Sequence, residues 1–510
     1  MDTAFQWIEG QPLQKILEEN LGLITRYTAG KISGLHGPTT LASLQLITRG
    51  VEDLINIELA ARFNPALKRA LDQDIAQSHA PLMATLDEYF NSGVSTRARE
   101  LLPHVAFLRD LLETYQTDSA GEFSRLRTYM DLANFLKARR HHLNTLMYAI
   151  ADLARGENRP CVDELYRLLF DTIELSFVGG LTGLHHKLTM LAVFPNFRCQ
   201  TDGRGLLDVD PRSDTLLDDD YLDAERMSIT EIDSEPSPEN AFDRRKITSV
   251  PELRHQLCTI ENSYAPYGLA EQGFADLRRF SEEVMAYTKD DYFLRIPADA
   301  FKAILIRYER APWRPKLVYR PAANHPFHGS YAAFAEHKGV FYSDLMMLMR
   351  FAYRVRDYLL ERNRRYQIKS GFIFEDTLQK QLPTLGFEVL RIKRIDHKEF
   401  DVVARREGEL YNFQCKNVRL DRDLMETNIN QFVRNNRRIV QYFKRALIKE
   451  EKREELLRKA TGTRTIKHFV VSRFPVFTED SRIVPMRKLA FFSADTSLVL
   501  RQARANPLVF

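Results

Sequence analysis

Two short segments near residue 400 constrain the fold of this chain more than any other part of it. Residues 399–404 read EFDVVA, and residues 410–417 read LYNFQCKN. Both segments are rich in β-branched and aromatic residues, which favour extended backbone. Between them, 405–409 include Gly408, which can adopt the positive φ that tight turns require. The sequence therefore predicts an antiparallel β-hairpin whose turn covers 405–409.

Side-chain alternation on this hairpin brings polar groups together. Successive side chains of a strand point to opposite faces, so Gln414 and Lys416 share one face. Phe413 and Cys415 share the other face. Asp401 can then face Gln414 and Lys416 across the hairpin. A carboxylate, an amide oxygen and an ammonium that converge at a strand end can hold a hard divalent cation and a water beside a phosphodiester.

Regular elements are predicted on both sides of the hairpin. Before it, 371–383 form an amphipathic helix in which apolar residues recur at every fourth position and Glu375 lies beside the apolar stripe. A first strand follows at 386–392. After the hairpin, 424–451 form a long helix with a regular buried side, and 465–472 form another strand. The predicted order of elements is αβββαβ.

This order and its polar residues resemble the PD-(D/E)xK nuclease superfamily, and within it the Mrr-like restriction endonucleases. The resemblance covers about the last quarter of the chain. Four short motifs carry it: Phe374-Glu375, Gly386-Phe387, Asp401-Val402-Val403 and Gln414-Cys415-Lys416. It implies a restriction-endonuclease-like α/β domain that hydrolyses DNA with Mg²⁺ or Mn²⁺, in restriction or defence against foreign DNA.

The resemblance also implies a role for each motif residue. Asp401 and Gln414 would be metal ligands, together with the backbone carbonyl of Cys415. Lys416 would orient the attacking water or stabilise the negative charge on the phosphate. Glu375 would be an auxiliary catalytic carboxylate and metal ligand. Members of the Mrr-like group carry Gln where other nucleases of the superfamily carry Asp or Glu.

The residues themselves leave two alternatives open. Asp401, Gln414 and Lys416 can be solvated residues of an edge hairpin, and Glu375 an ordinary surface carboxylate. Alternatively, the nuclease fold is kept without catalysis, because glutamine in place of glutamate removes one negative charge and weakens Mg²⁺ binding. The chain would then be a DNA-binding or scaffold subunit of a larger complex. A repair or junction-resolving nuclease would differ only in the shape of its substrate.

Length and charge patterning predict several domains. At 510 residues the chain is long enough for two to four domains, since one domain takes roughly 150 residues. The mainly α-helical N-terminal region is predicted to precede the C-terminal α/β domain. Five segments are predicted: a helical domain at 1–199, an acidic flexible linker or loop at 200–246, a mixed and mainly helical domain at 247–366, the nuclease domain at 367–478 and a C-terminal extension at 479–510.

The periodic stretches within these segments predict individual elements. Helices are predicted at 12–27, 41–71, 98–115, 123–155, 250–264, 269–288, 299–308 and 342–366, and a short strand at 316–320. The acidic segment is most simply a tether. Its functional alternative is a phosphate mimic that covers a basic cleft.

Composition points to a protein of a reducing compartment. Of the residues, 28% are charged and 44% hydrophobic, as in ordinary globular proteins. The four cysteines are far apart and include no CxxC pair, which argues against a disulfide framework or a zinc knuckle. No apolar run approaches the roughly 18 residues that a membrane span requires, and the first residues do not resemble a signal peptide. We therefore expect a cytoplasmic protein without membrane contact.

Basic residues on the long helix are candidates for binding DNA. Arg434, Arg438 and Arg445 share one helical face through spacings of four and seven. Such a row suits the phosphates of a duplex, although a solvated helix face is an equal alternative. The chain has no GxxxxGK[ST] motif, so ATP-driven movement would need a partner ATPase or helicase subunit. A homo-oligomer is a further possible partner state.

Overall fold

A computed structural model describes residues 6–55, 65–72, 146–161, 179–201, 206–207, 249–321, 332–361, 363–420 and 428–491, together with a few isolated positions. Backbone contacts divide the chain into two compact units. The C-terminal unit comprises Met1–Lys15, His186–Asp233 and Leu360–Phe510, and the N-terminal unit comprises Ile16–His185 and Ser234–Leu359. The predicted division into five segments stays a prediction.

The described part of the N-terminal region is mainly helical, as predicted. Its described helices are α1 (Gly10–Ser33), α2 (Gly37–Ile55), α3 (Pro65–Leu71) and α4 (Gly179–Val193). The predicted helices at 12–27 and 41–71 correspond to α1 and to α2 with α3. The predicted helix at 98–115 lies outside the described residues. Of the predicted helix at 123–155, the structure describes residue 128 and the residues from 146, which are helical to 153.

Three short strands of the C-terminal unit were not predicted. They are β1 (Gln6–Glu9), β2 (Arg198–Thr201) and β3 (Leu206–Leu207), which form an antiparallel sheet in that order. Strands of two to four residues contain too few positions for a period-two pattern to be recognised. The rest of the predicted acidic linker, 202–205 and 208–246, lies outside the described residues.

The N-terminal unit also contains a four-stranded antiparallel sheet with helices. The strands are β4 (Thr288–Lys289), β5 (Phe293–Pro297), β6 (Ala335–His337) and β7 (Val340–Asp344), in the order β4-β5-β7-β6. The helices are α5 (Val250–Ser263), α6 (Ala275–Met285), α7 (Ala298–Leu305) and α8 (Leu345–Leu360). No membrane-spanning candidate occurs among the helices of the described residues, because none combines the required length with sufficient apolarity.

Two predictions for this unit are wrong in detail. The predicted strand at 316–320 is not a strand, because Val318 makes only an isolated bridge to Phe334 after a 3-10 turn at Arg314–Lys316. The predicted helix at 342–366 begins three residues later, because its first residues belong to strand β7. Buried strand and buried helix are equally apolar, so hydrophobicity alone does not locate this junction.

A buried carboxylate marks the junction between β7 and α8. Asp344 is fully buried, and its Oδ1 accepts a hydrogen bond from the backbone N–H of Met347 at 2.7 Å, which caps the first turn of α8. Burial raises the pKa of Asp344 to about 7, and the nearby Glu52 carboxylate raises it further. The bond from Met347 and the charge of Arg350 oppose this shift. The charged form of Asp344 therefore costs folding free energy.

We expect Asp344→Asn to remove a pH dependence of stability. The folded-state pKa of Asp344 lies above its unfolded value, so the folded protein binds the extra proton and loses stability as pH rises from about 4 to 7. Between pH 5 and 8 this loss is on the order of 2 to 3 kcal/mol. Asparagine keeps the capping oxygen and does not titrate. Urea unfolding at both pH values measures the difference, with the exposed Glu309→Gln as the control. An unchanged pH dependence would contradict the assignment.

The C-terminal unit contains the elements predicted around the hairpin. In chain order these are α9 (Arg364–Gln381), β8 (Glu388–Leu390), β9 (Arg394–Ile395), β10 (Lys398–Glu399), β11 (Val402–Arg406), β12 (Glu409–Lys416), α10 (Ile429–Glu451), α11 (Glu454–Thr461), β13 (Ile466–Ser472) and β14 (Ile483–Pro485). The predicted order αβββαβ is present as α9, β8, β11, β12, α10 and β13. The small β9–β10 hairpin, α11 and β14 are additions, and β14 lies in the segment predicted as a C-terminal extension.

Five of these strands form one mixed sheet in the order β14-β13-β12-β11-β8. Strands β8, β11 and β12 are antiparallel, whereas β12, β13 and β14 are parallel. The predicted hairpin is therefore confirmed, but its turn is shorter than predicted. Only Glu407 and Gly408 form it, with φ of 51° and 78°, because Arg406 already pairs with Glu409. Two consecutive residues with positive φ match the right-handed twist of the paired strands.

Helices α9 and α10 cover opposite faces of this sheet. Phe374 and Leu378 of α9 pack with Phe413 and the neighbouring aromatic side chains. On the other face, Phe443 and Leu447 of α10 pack against Val470 of β13. A buried hydrogen bond from Asn412 Nδ2 to Glu450 Oε2, 3.0 Å long, also joins α10 to β12. The two helices consequently flank the end of β12, where the predicted site residues lie.

Candidate active site

Asp401 lies immediately before β11 and is held by the backbone of β12. Strand β11 begins at Val402, which pairs with Phe413, whereas β12 continues beyond Phe413 to Lys416. Asp401 Oδ2 accepts a hydrogen bond from the backbone N–H of Cys415 at 2.8 Å. The carboxylate thus replaces the missing strand as the partner of this donor. It is half-exposed, and the bond uses only one of its two oxygens.

Lys416 is the last residue of β12 and is also half-exposed. Its Nζ donates to the backbone carbonyl of Cys415 at 3.1 Å and lies 5.9 Å from the centre of the Tyr442 ring. Tyr442 belongs to α10, so the ammonium is held between the strand end and the helix that covers the sheet. A cation within about 6 Å of an aromatic ring is attracted to its face.

Glu375 reaches the same strand end from α9. Burial raises the pKa of the half-buried Glu375 to about 7, and the charge of Asp401 raises it further. The charges of Lys393 and Lys416 act in the opposite direction. A carboxylate whose pKa is strongly raised by burial together with a nearby like charge is often found in a functional site. The fold therefore brings Glu375, Asp401 and Lys416 within electrostatic reach of one another.

A second polar contact fixes α9 against the end of β12. Asn417 Nδ2 donates to Ser370 Oγ at 2.8 Å, and Ser370 lies five residues before Glu375 on α9. Neither residue was predicted from the sequence. Asn417 directly follows the Gln414-Cys415-Lys416 motif, and this adjacency was the one available signal.

Cys415 lies between these groups and is partly buried. Burial raises the pKa of the thiol well above its ordinary value, and the carboxylates of Asp401 and Glu375 add to this effect. The thiol therefore stays protonated, and it is a poor metal ligand in this state. The backbone carbonyl of Cys415, predicted as a metal ligand, accepts the Lys416 ammonium.

Gln414 is placed differently from Glu375. It is 7% exposed and lies in register with Val470, on the sheet face that α10 covers. Glu375 comes from α9, which covers the opposite face. The strand register also places Gln414 opposite Asp401, one position beyond the Val402–Phe413 pair. Gln414 and Glu375 thus approach Asp401 from the two sides of the sheet.

Few acidic side chains are available at the end of β12 to bind a metal ion. Among the residues that the structure describes, no group of three or more His, Cys, Asp or Glu is arranged to hold a metal ion. Asp401 and Glu375 are the two carboxylates at the end of β12, and Gln414 offers only a neutral amide oxygen. The metal-ligand roles implied by the resemblance stay predictions.

The role of Gln414 can be tested by adding a charge. We expect Gln414→Glu to lower the Mg²⁺ concentration needed for half-maximal activity, because a carboxylate binds Mg²⁺ more strongly than an amide oxygen. The measurement is a Mg²⁺ titration of DNA cleavage by the parent and the variant. Gln381→Glu, at the exposed last residue of α9, is the matched control. A titration curve that Gln414→Glu does not move would place Gln414 outside the metal site.

The three predicted DNA-binding arginines are exposed on α10. At about 100° per residue, Arg434, Arg438 and Arg445 span about 40° of the helix surface. Tyr442 lies about 40° beyond Arg438, and its ring contacts Lys416 as described above. The three arginines therefore lie on the side of α10 that is next to the candidate site. Tyr442 was missed in the sequence, although it lies four residues from Arg438 and three from Arg445.

Comparison with known proteins finds no family model that matches this chain, and no curated protein or solved structure that is significantly similar to it.

Proposed function

We propose that this chain is a Mg²⁺-dependent DNA endonuclease whose active site lies at the end of β12. The observation that carries the proposal is the approach of Asp401, Glu375 and Lys416 to one another at that strand end. Two carboxylates with one ammonium are a suitable set of groups for hydrolysing a phosphodiester. The resemblance to Mrr-like nucleases rests on the same residues and on the order of the elements around them.

The chemistry of these groups fits a hard divalent cation. Asp401 and Glu375 provide carboxylate oxygens, and Gln414 provides an amide oxygen, which are the ligands that Mg²⁺ prefers. A bound cation would relieve the electrostatic repulsion between the carboxylates of Asp401 and Glu375. Mn²⁺ binds the same oxygen ligands. The softer thiol of Cys415 is protonated and does not compete.

Each residue would act on the phosphodiester in a distinct way. A bound Mg²⁺ supplies Lewis-acid polarisation of the phosphate and a lower pKa for an attacking water. Asp401, fixed by the Cys415 N–H, would hold this cation in a constant place beside the strand end. Lys416 would stabilise the charge on the phosphate oxygens or orient the water. Water would attack phosphorus in line with the leaving oxygen, which then takes up a proton.

The setting that the resemblance favours is restriction of foreign DNA in the cytoplasm. A DNA repair or junction-resolving nuclease would use the same chemistry on a different substrate shape. The four scattered cysteines are consistent with a reducing compartment.

A second candidate is a DNA-binding or scaffold subunit whose nuclease fold is inactive. One observation favours it: the Lys416 ammonium donates to the Cys415 carbonyl, the group that the resemblance assigns to the metal. Such a subunit would act with a partner ATPase or helicase.

Purified full-length protein incubated with supercoiled and linear DNA distinguishes the two candidates. We expect nicking or linearisation with Mg²⁺ or Mn²⁺ and none in EDTA. Binding of DNA without cleavage under any of these conditions would favour the scaffold. Failure both to bind and to cut DNA would exclude both candidates.

A further inference from the structure

The backbone of Cys415 faces the side of β12 on which the neighbouring strand has not yet begun. The carbonyl of Lys416 accepts the N–H of Arg473 at 2.9 Å, so it points toward β13. Backbone polar groups of successive strand residues point to opposite edges, and those of Cys415 therefore point toward the side of β11. Strand β11 begins only at Val402, which pairs with Phe413. In the described sheet, neither the N–H nor the carbonyl of Cys415 has a strand partner on that side.

Two charged side chains bind the backbone groups of Cys415 in place of a strand. Asp401 Oδ2 accepts the Cys415 N–H at 2.8 Å, and Lys416 Nζ donates to the Cys415 carbonyl at 3.1 Å. The N–H and the carbonyl of one strand residue point to the same edge, so Asp401 and this carbonyl are neighbours. The carbonyl is also the oxygen that the resemblance assigns to the metal. A cation bound by Asp401 and the ammonium of Lys416 would therefore use the same oxygen.

Lys416 has a second partner that does not involve this carbonyl. Its Nζ lies 5.9 Å from the centre of the Tyr442 ring, which is 50% exposed on α10. Because a cation is attracted to the face of an aromatic ring, the ammonium can leave the carbonyl and still stay at the end of β12. A phosphate of bound DNA would then be a stronger acceptor than the carbonyl, because a hydrogen bond to an ionised acceptor is stronger than one to a neutral oxygen.

We propose that Lys416 and the divalent cation exchange at the Cys415 carbonyl, so that cation binding releases the ammonium to a phosphate of the DNA. The proposal rests on the proposed nuclease function and links the binding of its cation to the binding of its substrate. While the ammonium stays on the carbonyl, it keeps one oxygen from the cation and makes no phosphate contact. Coupling between two ligands is reciprocal, so DNA that attracts the ammonium also strengthens cation binding. Such an exchange makes the contact of Lys416 with the carbonyl compatible with an active enzyme.

Cation binding without DNA measures the competition for the carbonyl. Mn²⁺ is titrated into the parent, Lys416→Met and Lys393→Met, and the free ion is followed by electron paramagnetic resonance. Lys393 is the matched control, because its charge acts on Glu375 more strongly than that of Lys416, and among the described contacts it has no hydrogen bond to the Cys415 carbonyl. Both variants should bind Mn²⁺ more tightly than the parent, since each loses a positive charge. The gain for Lys416→Met should be about threefold to tenfold larger, because only this variant frees the carbonyl.

DNA binding with and without a cation measures the release of the ammonium. A duplex is titrated in EDTA and in Ca²⁺, which suppresses cleavage. In EDTA, the parent and Lys416→Met should bind within about twofold of each other, since a charge held away from the phosphates acts only through screening solvent. In Ca²⁺, the parent should bind at least about tenfold more tightly than Lys416→Met, the scale for one hydrogen bond to a charged group. Lys393→Met should differ from the parent by the same factor in both conditions.

The outcomes separate the exchange from catalysis. The inference is overturned if Lys416→Met weakens DNA binding by the same factor in EDTA and in Ca²⁺, or if it tightens Mn²⁺ binding no more than Lys393→Met does. Absence of cleavage with Mg²⁺ or Mn²⁺, although the exchange is observed, contradicts the proposed nuclease function alone. Cleavage by a parent whose Lys416 contributes equally to DNA binding with and without Ca²⁺ supports the nuclease and overturns the exchange. A parent that binds no Mn²⁺ contradicts both.

Discussion

Asp401→Asn and Lys416→Met are each expected to lower DNA cleavage by at least about a hundredfold, the scale for loss of one group that stabilises transition-state charge. Asparagine is the sharper substitution at Asp401, because its amide oxygen can still accept the hydrogen bond from Cys415 N–H. It removes the negative charge and keeps the shape. Methionine at Lys416 keeps most of the side-chain length without the ammonium. Single-turnover cleavage at saturating Mg²⁺ measures both effects.

Folding must be separated from chemistry in this experiment. Asp401→Ala removes the bond to Cys415 as well as the charge, which should cost on the order of 1 to 2 kcal/mol of stability. Asp401→Asn should unfold at nearly the parental temperature. Glu388→Gln neutralises an exposed carboxylate on β8 and should cut DNA at the parental rate. If Asp401→Asn and Lys416→Met also retain the parental rate, these residues are not catalytic.

The order of elements in the C-terminal unit could be predicted because each element has a simple pattern. The apolar residues of α9 and α10 recur at helical spacing, and those of β11 and β12 are β-branched or aromatic. The placement of Asp401 and Lys416 near one strand end follows from this hairpin and from alternation along β12. No packing information was needed for that step.

The exact ends of the hairpin could not be predicted, because they depend on backbone conformation. Arg405 and Arg406 are charged residues close to Gly408, and such a composition is typical of a turn. Because the turn consists only of Glu407 and Gly408, strand pairing continues up to it, and both arginines belong to β11. Phe387 then receives the Arg406 guanidinium 5.0 Å from its ring, a long-range contact that favours this register.

The surroundings of the site depended on tertiary packing and were inaccessible from the sequence. The approach of Glu375 to Asp401 requires α9 to pack on the Phe413 face of the sheet. The contact between Lys416 and Tyr442 requires α10 to lie across the opposite face. Neither packing arrangement is contained in the spacing of residues along one element.

Neutralising the row Arg434, Arg438 and Arg445 together is expected to weaken binding of duplex DNA in a salt-dependent way. Each phosphate contact releases counterions, so the slope of log affinity against log salt should become shallower by about 0.9 per contact, up to about 2.7 in total. The three side chains are exposed on α10 on the side of Tyr442, whose ring contacts Lys416, so a duplex bound to this row would lie beside the candidate site. Binding from low to moderate salt, in Ca²⁺, measures the slope.

A charge-matched control separates contact from general electrostatics. Lys380, Lys452 and Lys459 are exposed elsewhere on the C-terminal unit, and their joint neutralisation removes the same net charge. If the arginine row binds phosphates, only the arginine variant loses slope, and it loses affinity about equally for unrelated DNA sequences, because phosphate contacts position the duplex without reading bases. If the salt slope changes equally in both variants, the arginines contribute only to the overall electrostatic potential of the protein. The basic residues at the start of α9, Arg364 and Arg365, would then become the next candidates for guiding the duplex to Lys416.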